Sequence, residues 1–177
     1  VPVQKHFVYH GAADYYRNQH GTPISSQKVG VFIEVKNSQQ NRLGVPLPKG
    51  KVRVYKADAS GSQQFVGEDW IDHTPKDEDV RVKLGTAFDM VGERRQADFA
   101  LNSKGRVMEE AFEIKVRNHK EQAVEVIVRE NLYRWSQWTL LSQSVPSEKK
   151  DARTVEFPVK IAAGGEAVVT YRVRYTW

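Results

Sequence analysis

Apolar and polar residues alternate one by one along most of the chain. Val29, Val31, Ile33 and Val35 fall on one face of an extended segment, with Glu34 and Lys36 on the other. A period of two is the mark of a half-buried β-strand, because successive side chains point to opposite faces. The pattern recurs as Val52 and Val54 about Arg53, and as Val80, Val82 and Leu84 about Arg81 and Lys83. It returns as Phe112, Ile114 and Val116 against Glu113, Lys115 and Arg117, and as Val124, Val126 and Val128 against Glu125 and Arg129. Val155, Phe157, Val159 and Ile161 form a further face against Glu156 and Lys160. The last face is Val169, Tyr171, Val173, Tyr175 and Trp177, opposite Arg172 and Arg174. No stretch shows an apolar period near 3.6, so the pattern predicts at most one short helix.

Turn chemistry separates these strands. Ala59-Ser60-Gly61-Ser62, Asn118-His119-Lys120-Glu121 and Ala163-Gly164-Gly165 read as tight connections. Pro158 has no N–H for a ladder, which predicts an edge position for its strand. Pro46 and Pro48 stiffen Leu43 to Gly50 into an extended approach to the Val52 strand. Short strands at regular spacing predict an all-β protein, an antiparallel β-sandwich in two packed β units. The polar run Asn102-Ser103-Lys104-Gly105 places the boundary, giving an N-terminal β unit over 1–103 and an immunoglobulin-like sandwich over 104–177. Strands flanking that run also suit pairing across it, as one continuous sheet. No internal repeat or low-complexity segment is evident.

Composition narrows the chemistry. The chain has 177 residues and no cysteine, which excludes disulfides, thiolate metal sites and thiol nucleophiles. No apolar run is long enough for a transmembrane segment. No charged-then-apolar leader is present, and a start at Val1 suits a piece of a longer parent chain. The net charge is +5. Such a balance permits anionic partners, but the basic residues are dispersed. Arg53, Lys83, Arg117, Arg172 and Arg174 lie on different strands and no nucleic-acid reader motif accompanies them, so nucleic acid is not an expected partner. There is no nucleophile elbow and no phosphate-cradling loop.

Four groups remain as candidates. Asp69, Asp72 and His73, in Glu68-Asp69-Trp70-Ile71-Asp72-His73, carry metal-ligand chemistry, and Asp69 shares a strand face with His73. Two aligned ligands need others from elsewhere, with Asp89 and Glu93 the nearest in kind. Otherwise the segment is a charged strand end running into Thr74-Pro75. Arg94 and Arg95 point oppositely on a strand, one suited to pairing with Asp72 or Asp89 and the other to an anion. Tyr133, Trp135 and Trp138 offer either a stacking platform for glycan or a partner protein, or a lid on a sandwich end. His6, His10 and His20, with Asp14, read as solvated groups on an exposed arm, although His6 and His10 share a strand face at i, i+4.

Several phrases in order carry a resemblance. They are Leu47-Pro48-Lys49-Gly50-Lys51-Val52-Arg53-Val54-Tyr55, Phe65-Val66-Gly67-Glu68-Asp69, Asp72-His73-Thr74-Pro75, Leu84-Gly85-Thr86-Ala87-Phe88-Asp89, Glu93-Arg94-Arg95-Gln96, Val116-Arg117-Asn118-His119-Lys120 and Glu148-Lys149-Lys150-Asp151-Ala152. Together, from about Phe32 to the C-terminus, they resemble the bacterial DUF4139 family. That domain of unknown function ends larger, often exported proteins, including mucoidy inhibitor A relatives. The resemblance implies an all-β fold and a periplasmic or secreted setting, but no reaction and no cofactor. After Glu130-Asn131-Leu132 the chain departs from the family, replacing a proline-containing segment with Tyr133-Arg134-Trp135-Ser136-Gln137-Trp138. The resulting expectation is a non-catalytic structural or interaction module of the bacterial cell envelope. Its partners would be other domains of a longer parent chain, an envelope protein or a glycan. The alternatives are a metal-assisted hydrolytic or accessory enzyme domain, and a glycan- or polyanion-binding module.

Overall fold

The computed structural model describes residues 3–11 and 25–177. The described residues form eleven strands. These are β1 (Gln4–His10), β2 (Lys28–Lys36), β3 (Gly50–Ala57), β4 (Gln63–Ile71), β5 (Asp79–Asn102), β6 (Val107–Asn118), β7 (Val124–Asn131), β8 (Gln137–Gln143), β9 (Glu148–Lys149), β10 (Thr154–Ile161) and β11 (Glu166–Thr176). The one helical element among them is a single 3-10 turn, Gln39–Asn41. The all-β expectation therefore holds. Nine strands are hydrogen-bonded in the order β8-β11-β6-β5-β2-β1-β7-β10-β9, and β3 and β4 form a separate antiparallel ribbon.

The chain divides into two compact units, residues 1–7 with 30–87 and residues 8–29 with 88–177. The division falls inside β5, which runs unbroken through Ala87 and Phe88. The expected boundary at Asn102–Gly105 is instead the turn between β5 and β6. Those two strands pair antiparallel across it, Asn102 opposite Val107, within the second unit. The sequence hides this because a polar turn inside a hairpin and a polar linker have the same composition.

The second unit is a sandwich. β6 alternates strictly between half-buried and buried positions, as its sequence pattern requires. Phe112, Ile114, Val128, Phe157, Val169 and Val173 are among its buried residues. β10 and β11 lie far apart in the strand order, yet Phe157 stacks on Tyr171 at 5.4 Å between ring centroids. The strip of strands thus doubles over and buries both inner faces against each other. Pro158 sits opposite Ile127 of β7, and β9 covers only Val155 and Glu156. Beyond Glu156 β10 has a free side, which is where a residue lacking N–H fits.

The first unit buries less, chiefly Phe7, Val80, Val82 and Ala87. Its ribbon turns at Asp58, whose carboxylate accepts the N–H groups of Ser60 and Ser62 and the Ser60 hydroxyl. Gly61 takes φ +84, open to glycine at no steric cost. Gly67 lies so close to β5 that a Cβ would stand 2.8 Å from the Leu84 carbonyl oxygen.

Each unit is fastened by a buried asparagine. Asn37 donates its N–H to the Glu78 carbonyl and its side-chain amide to Val45 and Pro75, and accepts from Gly44. Asn118 donates its N–H to the Gly165 carbonyl and its amide to Gln122 and Ala162, and accepts from Lys120. Glu78 immediately precedes β5 and Gly165 immediately precedes β11. The same clasp therefore occurs twice: an asparagine stands at or just past the end of a strand, and its amide secures the turn that leads into a neighbouring strand.

Candidate binding surface

Asp69, near the end of β4, and Asp72 and His73, just beyond it, are engaged with backbone. Asp69 accepts the N–H groups of Trp70 and Lys83, at 2.9 and 2.8 Å. Asp72 accepts the His73 N–H at 2.8 Å, and His73 Nδ1 faces the Lys49 N–H at 3.3 Å. Among the described residues no three His, Asp or Glu side chains gather to hold a metal ion. Asp69, Asp72 and His73 are thus placed as turn and strand-end groups. Asp89 pairs with Lys120 and Glu93 with Arg117.

Arg94 and Arg95 part company as the strand pattern requires, but their partners differ from those expected. Arg95 is exposed and meets Glu113 across the β5–β6 ladder at 3.3 Å. Arg94 points into the sandwich, where its side chain is 2% exposed and that of Glu130 is 0% exposed. Its Nε and Nη2 reach the Glu130 carboxylate at 2.9 and 2.7 Å, a two-pronged charge-assisted pair. The Tyr171 hydroxyl donates to the same carboxylate, and the guanidinium lies 3.7 Å from the Phe112 ring centroid. Burial, followed by the nearby Glu130 charge, pushes the Tyr171 hydroxyl well above its ordinary pKa. It remains a neutral donor at any physiological pH.

A second buried pair lies in the same unit. Arg134, from the segment between β7 and β8, reaches Glu110 at 2.7 Å, with both side chains 1% exposed. Gln96 donates to the same Glu110 oxygen at 2.8 Å. Arg134 thereby anchors the Tyr133–Trp138 segment from below. Trp135 stacks on Trp177, with centroids 4.0 Å apart and planes 9° apart, and tilts against Tyr175. Trp138 donates its indole N–H to the Ala152 carbonyl, and Lys149 sits over its ring. Tyr133 is half-buried beside Arg134, and burial raises its hydroxyl pKa. The three aromatics are turned to three different internal partners. Their geometry is that of a lid on the sandwich rather than one open platform.

His6 and His10 lie on β1, between β2 and β7 in the strand order, with Phe7, Val8 and Tyr9 buried. The expected solvated arm is therefore an ordered strand at these positions. His20 and Asp14 lie outside the described residues.

Five cations on β5, β6 and β11 of the second unit are paired off. Arg95 meets Glu113, Lys115 meets Glu166, Arg117 meets Glu93, Arg172 meets Asp98 and Glu109, and Arg174 meets Glu109. Five cations face five carboxylates across β5, β6 and β11, so this face carries no net charge. Arg117, Arg172 and Arg174 belong to a cross-strand lattice that favours one register, not to a basic stripe.

The surface that sequence reasoning passed over is the outer face of the β3–β4 ribbon. The register sets Lys51 opposite Trp70, Arg53 opposite Glu68 and Tyr55 opposite Phe65. Trp70 is 66% exposed, Phe65 57% and Tyr55 49%. Tyr55 and Phe65 meet edge-to-face at 5.7 Å, and Lys51 lies 5.6 Å from the Trp70 ring. Glu68 binds both Lys51 and Arg53, and these bonds hold its carboxyl below the usual range. Lys51 and Tyr55 are four strand residues apart, so Trp70 stands about 13 Å from the Tyr55–Phe65 pair. The signal was present in the sequence, since Lys51, Arg53 and Tyr55 alternate with inward Val52 and Val54. It reads as an aromatic face only once Phe65 and Trp70 are brought alongside.

Comparison of the chain with protein families, curated proteins and solved structures gives no match in any of the three. No helix among the described residues is long and apolar enough to cross a membrane.

Proposed function

We propose that the chain is a non-catalytic interaction module of the bacterial cell envelope, which holds carbohydrate on the outer face of the β3–β4 ribbon. The observation that carries this reading is the alternation of exposed rings with a fixed charged centre: Trp70 at one end, Tyr55 and Phe65 at the other, Lys51, Arg53 and Glu68 between. A sugar has an apolar C–H face and a rim of hydroxyls. Rings suit the first, and a pre-paired set of donors and acceptors suits the second. A protein partner would favour a core depleted of charge, and this face has charge at its middle. The ribbon is tied at its turn by Asp58, so the rings are presented by fixed backbone rather than by a long loop.

The non-catalytic part of the reading is supported by where the reactive groups go. The carboxylates near the acidic segment accept backbone amides, and the buried charges are paired. The envelope setting rests on the resemblance to the DUF4139 family, and so does the expectation of a longer parent chain.

The test is a fluorescence titration with envelope oligosaccharides, both neutral peptidoglycan fragments and acidic exopolysaccharide oligomers. Saturable quenching is expected, and Trp70→Ala should weaken it at least tenfold with the thermal midpoint unchanged. If a broad glycan array is silent, or if Trp70→Ala binds as the parent does, the reading fails.

A further inference from the structure

The middle of the β3–β4 face holds two cations and one carboxylate, so Lys51, Arg53 and Glu68 together carry one positive charge in excess. Glu68 is fully occupied. One of its oxygens accepts from the Lys51 ammonium at 2.7 Å and the other from the Arg53 Nε at 3.1 Å. Lys51 is engaged as well, by that carboxylate and by the Trp70 ring.

Arg53 keeps capacity. Glu68 meets it through Nε, and no carboxylate among the described residues accepts a hydrogen bond from either terminal nitrogen. On the paired face of the second unit the arrangement differs: Arg95, Arg117, Arg172 and Arg174 each bring at least one terminal nitrogen to a carboxylate. The Arg53 side chain is 61% exposed. The two terminal nitrogens of a guanidinium form a planar fork that fits a carboxylate with two parallel hydrogen bonds.

The fork also has a defined place. Arg53 lies two residues from Lys51 and two from Tyr55, about 7 Å along the strand from each ring site. On the partner strand the register shifts between Val54 and Tyr55, which sets Phe65 rather than Val66 opposite Tyr55. Bulges of this kind re-aim a side chain. Exposed rings therefore flank the fork on both sides.

We propose that the saccharide held on this face is acidic, with the Arg53 fork binding the carboxylate of a uronic-acid residue whose neighbours stack on Trp70 and on the Tyr55–Phe65 pair. This rests on the carbohydrate reading above and narrows it to carboxylated sugars. A uronic acid between two stacked sugars brings one negative charge to a site with one positive charge in excess. A single-stranded nucleic acid also offers rings and anions, but it would carry successive phosphates past the fixed Glu68 carboxylate.

The test is calorimetric titration with galacturonate and glucuronate oligomers, each against the same oligomer with its carboxyls reduced to alcohols, and with a thymidine oligonucleotide alongside. An acidic oligomer should bind about tenfold or more tighter than its neutral counterpart, as a charge-assisted pair implies. The margin should shrink as salt rises. Arg53→Gln should remove the margin, and Arg53→Lys, which keeps the charge without the fork, should restore part of it. Trp70→Ala should weaken both members of a pair alike. Circular dichroism should be unchanged in all three variants, because an exposed ion pair adds little to stability. If a neutral oligomer binds as tightly as its acidic counterpart, or if Arg53→Gln keeps the margin, this inference falls and the carbohydrate reading stands. If no saccharide binds, or if the oligonucleotide binds more tightly than every saccharide, both fall.

Discussion

The Arg94–Glu130 pair makes a demanding test of how the sandwich is held. Both side chains are within 2% of full burial, and Glu130 also accepts from Tyr171. Consider Glu130→Leu. The substitution strands a guanidinium in the core without its carboxylate, and such losses cost about 3–5 kcal/mol. For a chain of this length each kcal/mol moves the midpoint by roughly 2–4 °C, so the fall should be about 6–20 °C. Next consider Arg94→Met with Glu130→Leu. The Phe112 ring under the guanidinium would pack equally well on a thioether, and replacing a whole buried pair with apolar groups is often neutral or better. The double variant should therefore recover most of the loss. Urea unfolding followed by tryptophan fluorescence is a suitable assay, because Trp135, Trp138 and Trp177 all lie in the same unit as the pair. The reasoning is refuted if Glu130→Leu costs under about 1 kcal/mol, or if the double variant is as weak as the single one.

Further outcomes follow from other contacts. Tyr171→Phe removes a donor to a buried carboxylate and should cost about 1.5–3 kcal/mol in the same urea assay. Gly92→Ala would set a Cβ 2.1 Å from the Tyr9 ring, so the ring must move, and a loss of about 1–3 kcal/mol is expected by calorimetry. Asn118→Ala strips an amide from the Gln122 and Ala162 carbonyls and should cost about 2–3 kcal/mol, with hydrogen exchange rising first at Gly164 and Gly165. Asp58, whose carboxyl is lowered to about 2 by bonds from Ser60 and Gln64, has a pH signature. Its folded value lies below its unfolded one, so its contribution to the ribbon turn is complete above about pH 4 and is lost as pH falls through 2. Carboxyl NMR should show that low midpoint, and Ser60→Ala should raise it.

The strands were legible because alternation is a local property: Phe112, Ile114 and Val116 announce their face without reference to anything distant. The turn residues were legible for the same reason, Gly61 and Gly164 taking the positive φ their positions suggested. What could not be read was partnership across the sandwich. Glu130 lies 36 residues from Arg94; alternation puts it in phase with inward Val126 and Val128, unlike Glu125, but nothing local names the cation it meets. Trp135 and Trp177 stack from segments 42 positions apart in the numbering, a contact the sequence could not show when it left platform and lid both open. The length of β5 was also not legible; it runs from Asp79 to Asn102 through Gly92, whose site is cleared for the Tyr9 ring.

The paired asparagine clasps bear on how such a chain tolerates change. At Asn118 the amide closes onto Lys120 and Gln122, a gap of a few residues. At Asn37 it closes onto Gly44 and Val45 across a 3-10 turn and a longer excursion. The fastening reads only backbone atoms, and it grips the far turn at the same offset in both cases. The segment after each asparagine can therefore lengthen, shorten or change composition without disturbing the strands it joins. These are the places where insertions should accumulate among relatives while the asparagine itself stays fixed.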